Sequence, residues 1–275
     1  MLFAPERIKA QGIGWSDDPT NLSLDFERPR LRAARAGLDA LGLTDPMLAL
    51  SAGRLLRALR AVEKAVDRFC SAGEGAVTVH PSGFLTLDRV MLQAAGEEIA
   101  MRALGRAIAA AGGSDEPPSL GKLEIIAAGV LAPEAADATW TLARALVTGR
   151  GAVLTVEREP GREPFPVLEL TSGAQATWDR RFRVSAGPAM SGPVEVRALG
   201  EAAAREVRQQ AQTTIETTAQ APLSVARFVP GFWRGKSLLA APSVDFWSEP
   251  DLREVLQSRF LGLKSIPRSA GEILK

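Results

Sequence analysis

Trp15-Ser16-Asp17-Asp18-Pro19-Thr20-Asn21-Leu22-Ser23-Leu24-Asp25-Phe26-Glu27-Arg28-Pro29-Arg30-Leu31-Arg32 reads as a polar turn feeding an arginine-bearing helix. Asp18 and Asn21 have side chains short enough to bond nearby backbone, and Pro19 fixes its own φ, so this is turn chemistry. Pro29 suits the first turn of a helix, where its missing N–H costs no hydrogen bond. The pattern predicts a helix from Pro29 to about Leu41, closed by Gly42. On it Arg28, Arg32 and Arg35 fall at i, i+4 and i+7 and share a face. Leu31, Ala34, Leu38 and Leu41 form a separate apolar face. A capped helix with solvated arginines is the plain reading. A platform for RNA phosphates is the functional one.

The same run resembles the D-P-S-N…R-x-R-x-R signature of tRNA(Ile)-lysidine synthetases, found where the nucleotide-binding domain hands over to a helical region. Asp18, Pro19, Asn21, Arg28, Arg30 and Arg32 fall in register with it, and Thr20 replaces serine. Ile8, Gly12 and Trp15 resemble the last helix and turn of that nucleotide domain. Trp178-Asp179-Arg180-Arg181-Phe182-Arg183-Val184 resembles the family's W-D-G-R-F-R-V run, with Arg180 in place of glycine. Val229-Pro230-Gly231-Phe232-Trp233-Arg234, followed by Leu238-Leu239-Ala240-Ala241-Pro242, is similar to its P-G-x-W-R…L-x-A-V-P segment. The resemblance runs to about residue 246.

It implies an enzyme that uses ATP, with Mg, to adenylate C2 of the anticodon cytidine of tRNA-Ile, after which the amine of lysine displaces AMP. It also implies that Asp18, Asn21, Arg28, Arg30, Arg32 and Arg35 make up the tRNA-binding or signature set. The family's S-G-G-x-D-S ATP loop is absent from these 275 residues. The expectation is therefore a tRNA-binding C-terminal portion, inactive alone, with no catalytic residue and no cofactor of its own. The alternative is a non-catalytic RNA-binding or scaffold protein left after loss of the ATP-binding domain. Leu2, Phe3, Ile8, Ile13 and Trp15 would form an uncovered apolar edge, which points to self-association or to a separately encoded nucleotide-binding domain.

Composition bounds this reading. Hydrophobic residues are 46% and charged residues 24% of the chain, the balance of a globular protein. No apolar run approaches the ~20 residues of a membrane span, and the start lacks the order of a signal peptide. The chain reads as cytoplasmic. The single cysteine, Cys70, excludes an internal disulfide and a cysteine zinc cluster. Net charge is only +1, yet residues 28–68 hold nine basic side chains against four acids. That is a local basic patch on a neutral protein.

Taken in order, residues 5–11 read as a short helix ended by Gly12, and 1–32 as the edge of a nucleotide-binding domain with its connector. Residues 33–135 read as a helical module. Thr44 and Pro46 open its second helix, with Leu55, Leu59, Val62, Val66 and Phe69 inward and Arg57, Arg60, Lys64 and Arg68 outward. Pro81-Ser82-Gly83 makes a hairpin turn within 76–87. Asp88 caps one long helix stopped by Gly112-Gly113, and Pro117-Pro118-Ser119 starts another with Leu120, Leu123, Ile126 and Ala127 inward. Residues 136–248 read as an α+β module. It holds a strand over 138–148 turning at Gly149-Arg150-Gly151 into 153–156, further strands over 178–184, 193–199 and 237–241, and helices over 201–212 and 223–229. Residues 209–220 are a Gln/Thr-rich connection, and 249–275 a helical tail. The fold class is α+β: a helical module with a β-hairpin, then a mixed α+β module.

Two stretches imitate nucleotide loops. Ala111-Gly112-Gly113-Ser114-Asp115-Glu116 follows a helix, whereas a phosphate loop follows a strand and opens a helix. Glycines ending that helix are the better reading. Gly231 to Ser237 is one residue short of G-x-x-x-x-G-K-S, and Phe232 and Trp233 would crowd a phosphate. His80, the only histidine, sits beside a turn with no nucleophile or acid partner to suggest catalysis. Glu97 and Glu98 point apart on a helix. Asp17 is a candidate for contact with a substrate amine.

Overall fold

The structure, a computed structural model, describes Ser23 and residues 25–71, 76–132, 137–161, 164–212 and 221–263. The expectations for residues 5–21, including Asp17, Asp18 and Asn21, for the Gln/Thr-rich residues 213–220 and for the last dozen residues lie outside these. The chain forms two compact units, Met1–Ala61 and Val62–Lys275.

The first unit contains helix α1 (Glu27–Ala40) and most of helix α2 (Asp45–Cys70). α1 begins two residues before Pro29, with Glu27 in its first turn, where a carboxylate complements the helix dipole. It ends as expected: Gly42 takes φ +80°, and the Leu41 and Gly42 N–H groups bond back to the last turn. The apolar faces are open in this unit. Leu31, Leu41 and Leu55 are 56%, 78% and 71% exposed, so Leu55 is not inward as its spacing suggests.

In the second unit three antiparallel sheets gather the core. The first runs β1 (Val77–Val79), β2 (Leu85–Asp88), β5 (Val153–Arg158), β4 (Ala145–Arg150), β3 (Ala138–Leu142). Strand alternation turns Leu85, Leu87, Val147, Leu154 and Val156 inward. Against β4 and β5 lies helix α4 (Glu97–Gly112), whose Ala100, Ala103, Leu104, Ala107, Ile108 and Ala111 are all buried. Alanines let the helix axis come close to the sheet, and each fully buried leucine or isoleucine adds about 1.5–3 kcal/mol. Helix α5 (Leu120–Leu131) packs on α4 through Leu123, Ile126 and Ala127; Leu120, expected inward, is exposed.

Asp88 caps helix α3 (Arg89–Ala95) by accepting from the Met91 N–H at 2.9 Å. The single helix predicted from Asp88 is two, because Gly96 adopts φ +86°, ψ 150° and breaks it.

The second sheet orders β12 (Phe246–Trp247), β11 (Ser237–Ala241), β10 (Pro230–Arg234), β9 (Val194–Ala198) and β6 (Leu168–Leu170). The third orders β13 (Leu256–Phe260), β8 (Phe182–Ala186) and β7 (Gln175–Trp178). Helices α6 (Glu201–Gln212), α7 (Leu223–Ala226) and α8 (Leu252–Val255) connect these strands. The α+β class therefore stands.

Three further local readings do not. The 138–148 strand is two, β3 and β4, joined by Ala143-Arg144 at φ 48° and 65°. The 178–184 strand is the end of β7, a loop over Asp179, Arg180 and Arg181, and the start of β8. The tail over 249–275, read as helical, contains strand β13 paired along its length with β8.

Candidate nucleic-acid interface

The arginines of α1 separate into different roles. Arg30 and Arg32 are exposed, and neither meets a carboxylate among the described residues. Arg28 lies in the helix, with its side chain outside the described part. Arg35 is engaged: its guanidinium pairs with Asp45 in the first turn of α2, where a carboxylate also suits the dipole. Arg35 thus helps close the α1–α2 turn, although spacing places it with Arg28 and Arg32.

Along α2 the basic side chains Arg54, Arg57, Arg60, Lys64 and Arg68 are all exposed. The acids of its last turns, which belong to the second unit, are used internally. Glu63 pairs with Arg102 at 2.7 Å and with Arg106 at 2.5 Å, and Asp67 with Arg106 at 2.7 Å. Arg106 is buried, and although burial lowers its pKa, these two carboxylates raise it on balance. The pairing of these acids leaves Arg54, Arg57, Arg60, Lys64 and Arg68 without an acidic partner among the described residues. Electrostatically, the arrangement suits phosphate.

The W-D-R-R-F-R-V run is structural at its centre. Trp178 is fully buried, its Nε1 donating to the Pro166 carbonyl at 2.7 Å. The buried Asp179 carboxylate accepts from Arg144 Nη2 at 2.9 Å, Arg158 Nε at 3.1 Å and Arg181 Nε at 2.7 Å. Arg181 also donates to the Phe228 carbonyl at 2.7 Å. Burial pushes Arg181 down to about 10, against the pull of Asp179, so it stays charged at neutral pH. Sequence reading missed this cluster. The Asp179-Arg181 half lay in a quoted motif, but Arg144 and Arg158 gave no local signal.

Arg180 takes φ +55°, a conformation L-residues adopt at a cost of about 1–2 kcal/mol and glycine adopts freely. Its side chain is exposed, 4.0 Å from Asp115. Arg180→Gly is expected to raise stability by about 1 kcal/mol, read as a rise of ~2–4 °C in the thermal midpoint. No rise would mean that the loop relaxes the strain.

The two imitation nucleotide loops are packing elements. Gly113 takes the left-handed conformation that ends α4, as expected. Gly231 lies in β10, and Gly235, at φ +60°, turns it into β11. A Cβ on Gly231 would fall 2.7 Å from Trp233 Nε1, so this glycine makes room for the indole. His80 is the turn histidine it promised to be. Its ring stacks on Phe84 at 3.9 Å, Nε2 meets Thr86 Oγ1 at 3.2 Å, and burial lowers its pKa. It is neutral at neutral pH and offers phosphate no charge. Glu98 pairs with Arg102 at 2.6 Å. Among the described residues no cluster could hold a metal ion, and no helix is long and apolar enough to cross a membrane.

No family model matches the chain. It is, however, 30% identical over 240 residues to a tRNA(Ile)-lysidine synthase of Ruegeria pomeroyi, covering 86% of this chain and 51% of that protein. With the Mesorhizobium japonicum protein of the same name, identity is 33% over 211 residues, covering 73% of this chain and 41% of the relative. With that of Caulobacter vibrioides it is 26% over 258 residues, covering 93% and 54%. The chain belongs to the tRNA(Ile)-lysidine synthase family and spans about half the length of the curated relatives it matches.

Proposed function

We propose that this chain is the tRNA-binding, C-terminal portion of a tRNA(Ile)-lysidine synthase, acting in the cytoplasm. In the intact enzyme ATP would activate C2 of the anticodon cytidine and lysine would displace AMP. These 275 residues contain no S-G-G-x-D-S loop, so the chain alone is inactive in this reading and relies on a nucleotide-binding domain for chemistry. Its own task is to grip the tRNA through Arg28, Arg30 and Arg32 and the basic side chains of α2, and so to orient the anticodon. Phosphate contacts of this kind position rather than specify.

The observation that supports this most is that Arg30, Arg32 and the basic side chains of α2 are exposed with no acidic partner among the described residues, in a chain homologous to tRNA(Ile)-lysidine synthases. The test is tRNA binding by the full chain across a range of KCl concentrations. Arg30→Ala/Arg32→Ala is expected to lower the slope of log K against log salt by roughly 1–2 units, one phosphate per arginine. An unchanged slope would place both arginines in solvent and remove the support.

A further inference from the structure

The outer face of the three-stranded sheet is assembled from alternate residues. β7 presents Gln175 and Thr177, β8 presents Arg183 and Ser185, and β13 presents Gln257 and Arg259. Trp178, Phe182, Val184, Leu256 and Phe260 are buried on the other side. The register makes the outer six a grid. Thr177, Arg183 and Arg259 lie side by side in one row, and Gln175, Ser185 and Gln257 in the next. All six can donate a hydrogen bond, none is acidic, and none is aromatic.

Arg183 and Arg259 therefore stand directly opposite each other, an arrangement of like charges that destabilises an antiparallel pair. Neither guanidinium has an acidic partner among the described residues. Other arginines of this unit do: Arg197 pairs with Glu195, Arg205 with Glu201, and Arg253 with Asp245. Among the described residues nothing offsets the repulsion. An external polyanion would.

We propose that this sheet face docks the phosphate backbone of RNA, with Arg183 and Arg259 on neighbouring phosphates and the four polar side chains on phosphate and sugar oxygens. With no aromatic side chain on the face there is nothing for a base to stack on, so the contact is with backbone and independent of sequence. The inference rests on the RNA-binding reading above and adds a second, separate surface to it. It also divides the R-F-R run: Arg181 turns inward to Asp179, and Arg183 turns outward to the ligand.

The full chain, tRNA and two variants test it. Arg183→Ala/Arg259→Ala is expected to lower the salt slope by about 1–2 units. Arg183→Glu places a carboxylate opposite Arg259, so it is expected to weaken tRNA binding while raising the thermal midpoint. A purely structural role would lower both together, and that result overturns the assignment. So does an unchanged slope in the double variant; if Arg30→Ala/Arg32→Ala still lowers it, this surface alone is lost. No tRNA binding by the unaltered chain would remove both this surface and the reading it rests on.

Discussion

Asp179→Ala is expected to destabilise the second unit by about 3–5 kcal/mol, the range for removing one partner of a buried charge cluster. The carboxylate is held by three arginines, and two of those guanidiniums, Arg181 and Arg158, are 1% and 4% exposed. Without Asp179 both would be buried cations with no carboxylate, left to carbonyl acceptors (Phe228 for Arg181, Arg144 and Glu159 for Arg158) and to the Phe182 and Phe165 rings they lie over. Arg144 is 43% exposed and can turn to water, so it adds little to the loss. Domains of this size are stable by only about 5–15 kcal/mol, so the variant sits near its unfolding threshold at room temperature. Asp179→Asn keeps the shape and one acceptor but not the charge, and should lose less. Urea unfolding followed by tryptophan fluorescence measures both, since Trp178 is buried beside the loop. A shift below about 1 kcal/mol for Asp179→Ala would mean that water replaces the carboxylate and that the cluster does not hold the fold.

Where local chemistry decides the backbone, the sequence was legible. Asp88 announces a cap, Gly113 a helix end, and Pro81-Ser82-Gly83 a turn. Arg32 of α1 and Arg57, Arg60, Lys64 and Arg68 of α2 also stand exposed as their spacing predicts. Legibility failed where distant contacts impose a conformation that the residues do not prefer. Ala143-Arg144 and Asp179-Arg180 all have positive φ without a glycine or asparagine to announce it. Both turns therefore disappeared into strands that looked continuous. Residues 256–260 follow a charged, helix-favouring run, but full-length pairing with β8 overrides propensity and makes them β13. The opposed arginines were hidden for the same reason. Arg183 and Arg259 become neighbours only once that pairing is known.

The two glycines that imitate a phosphate loop join these unannounced turns, and replacing them should be costly. Gly112 ends α4 directly against the first turn: a Cβ there would stand 1.9 Å from the Ala143 carbonyl oxygen, with the Ala143 and Arg144 carbonyl carbons at 3.1 and 3.2 Å. All three are backbone atoms, so no side-chain rotation relieves the clash. Gly113 faces the second turn, its Cβ position 2.5 Å from the Asp179 carbonyl oxygen, and its φ of +70° disfavours any side chain. Arg144 and Asp179, one from each turn, are themselves paired at 2.9 Å. Moving either turn to admit a methyl group therefore disturbs the buried charge cluster as well. Gly112→Ala is expected to lose about 1–3 kcal/mol or more by overpacking. Gly113→Ala adds about 1–2 kcal/mol for the left-handed backbone to a similar clash. Gly53, within α2, is the control: a Cβ there meets nothing within 4 Å, so Gly53→Ala should gain about 0.5–1 kcal/mol. Thermal and urea unfolding of the three variants should therefore rank Gly53→Ala above the unaltered chain and Gly113→Ala at the bottom. If Gly112→Ala unfolds like the unaltered chain, the helix end can retreat from Ala143, and the junction of helix and turns is looser than its geometry implies.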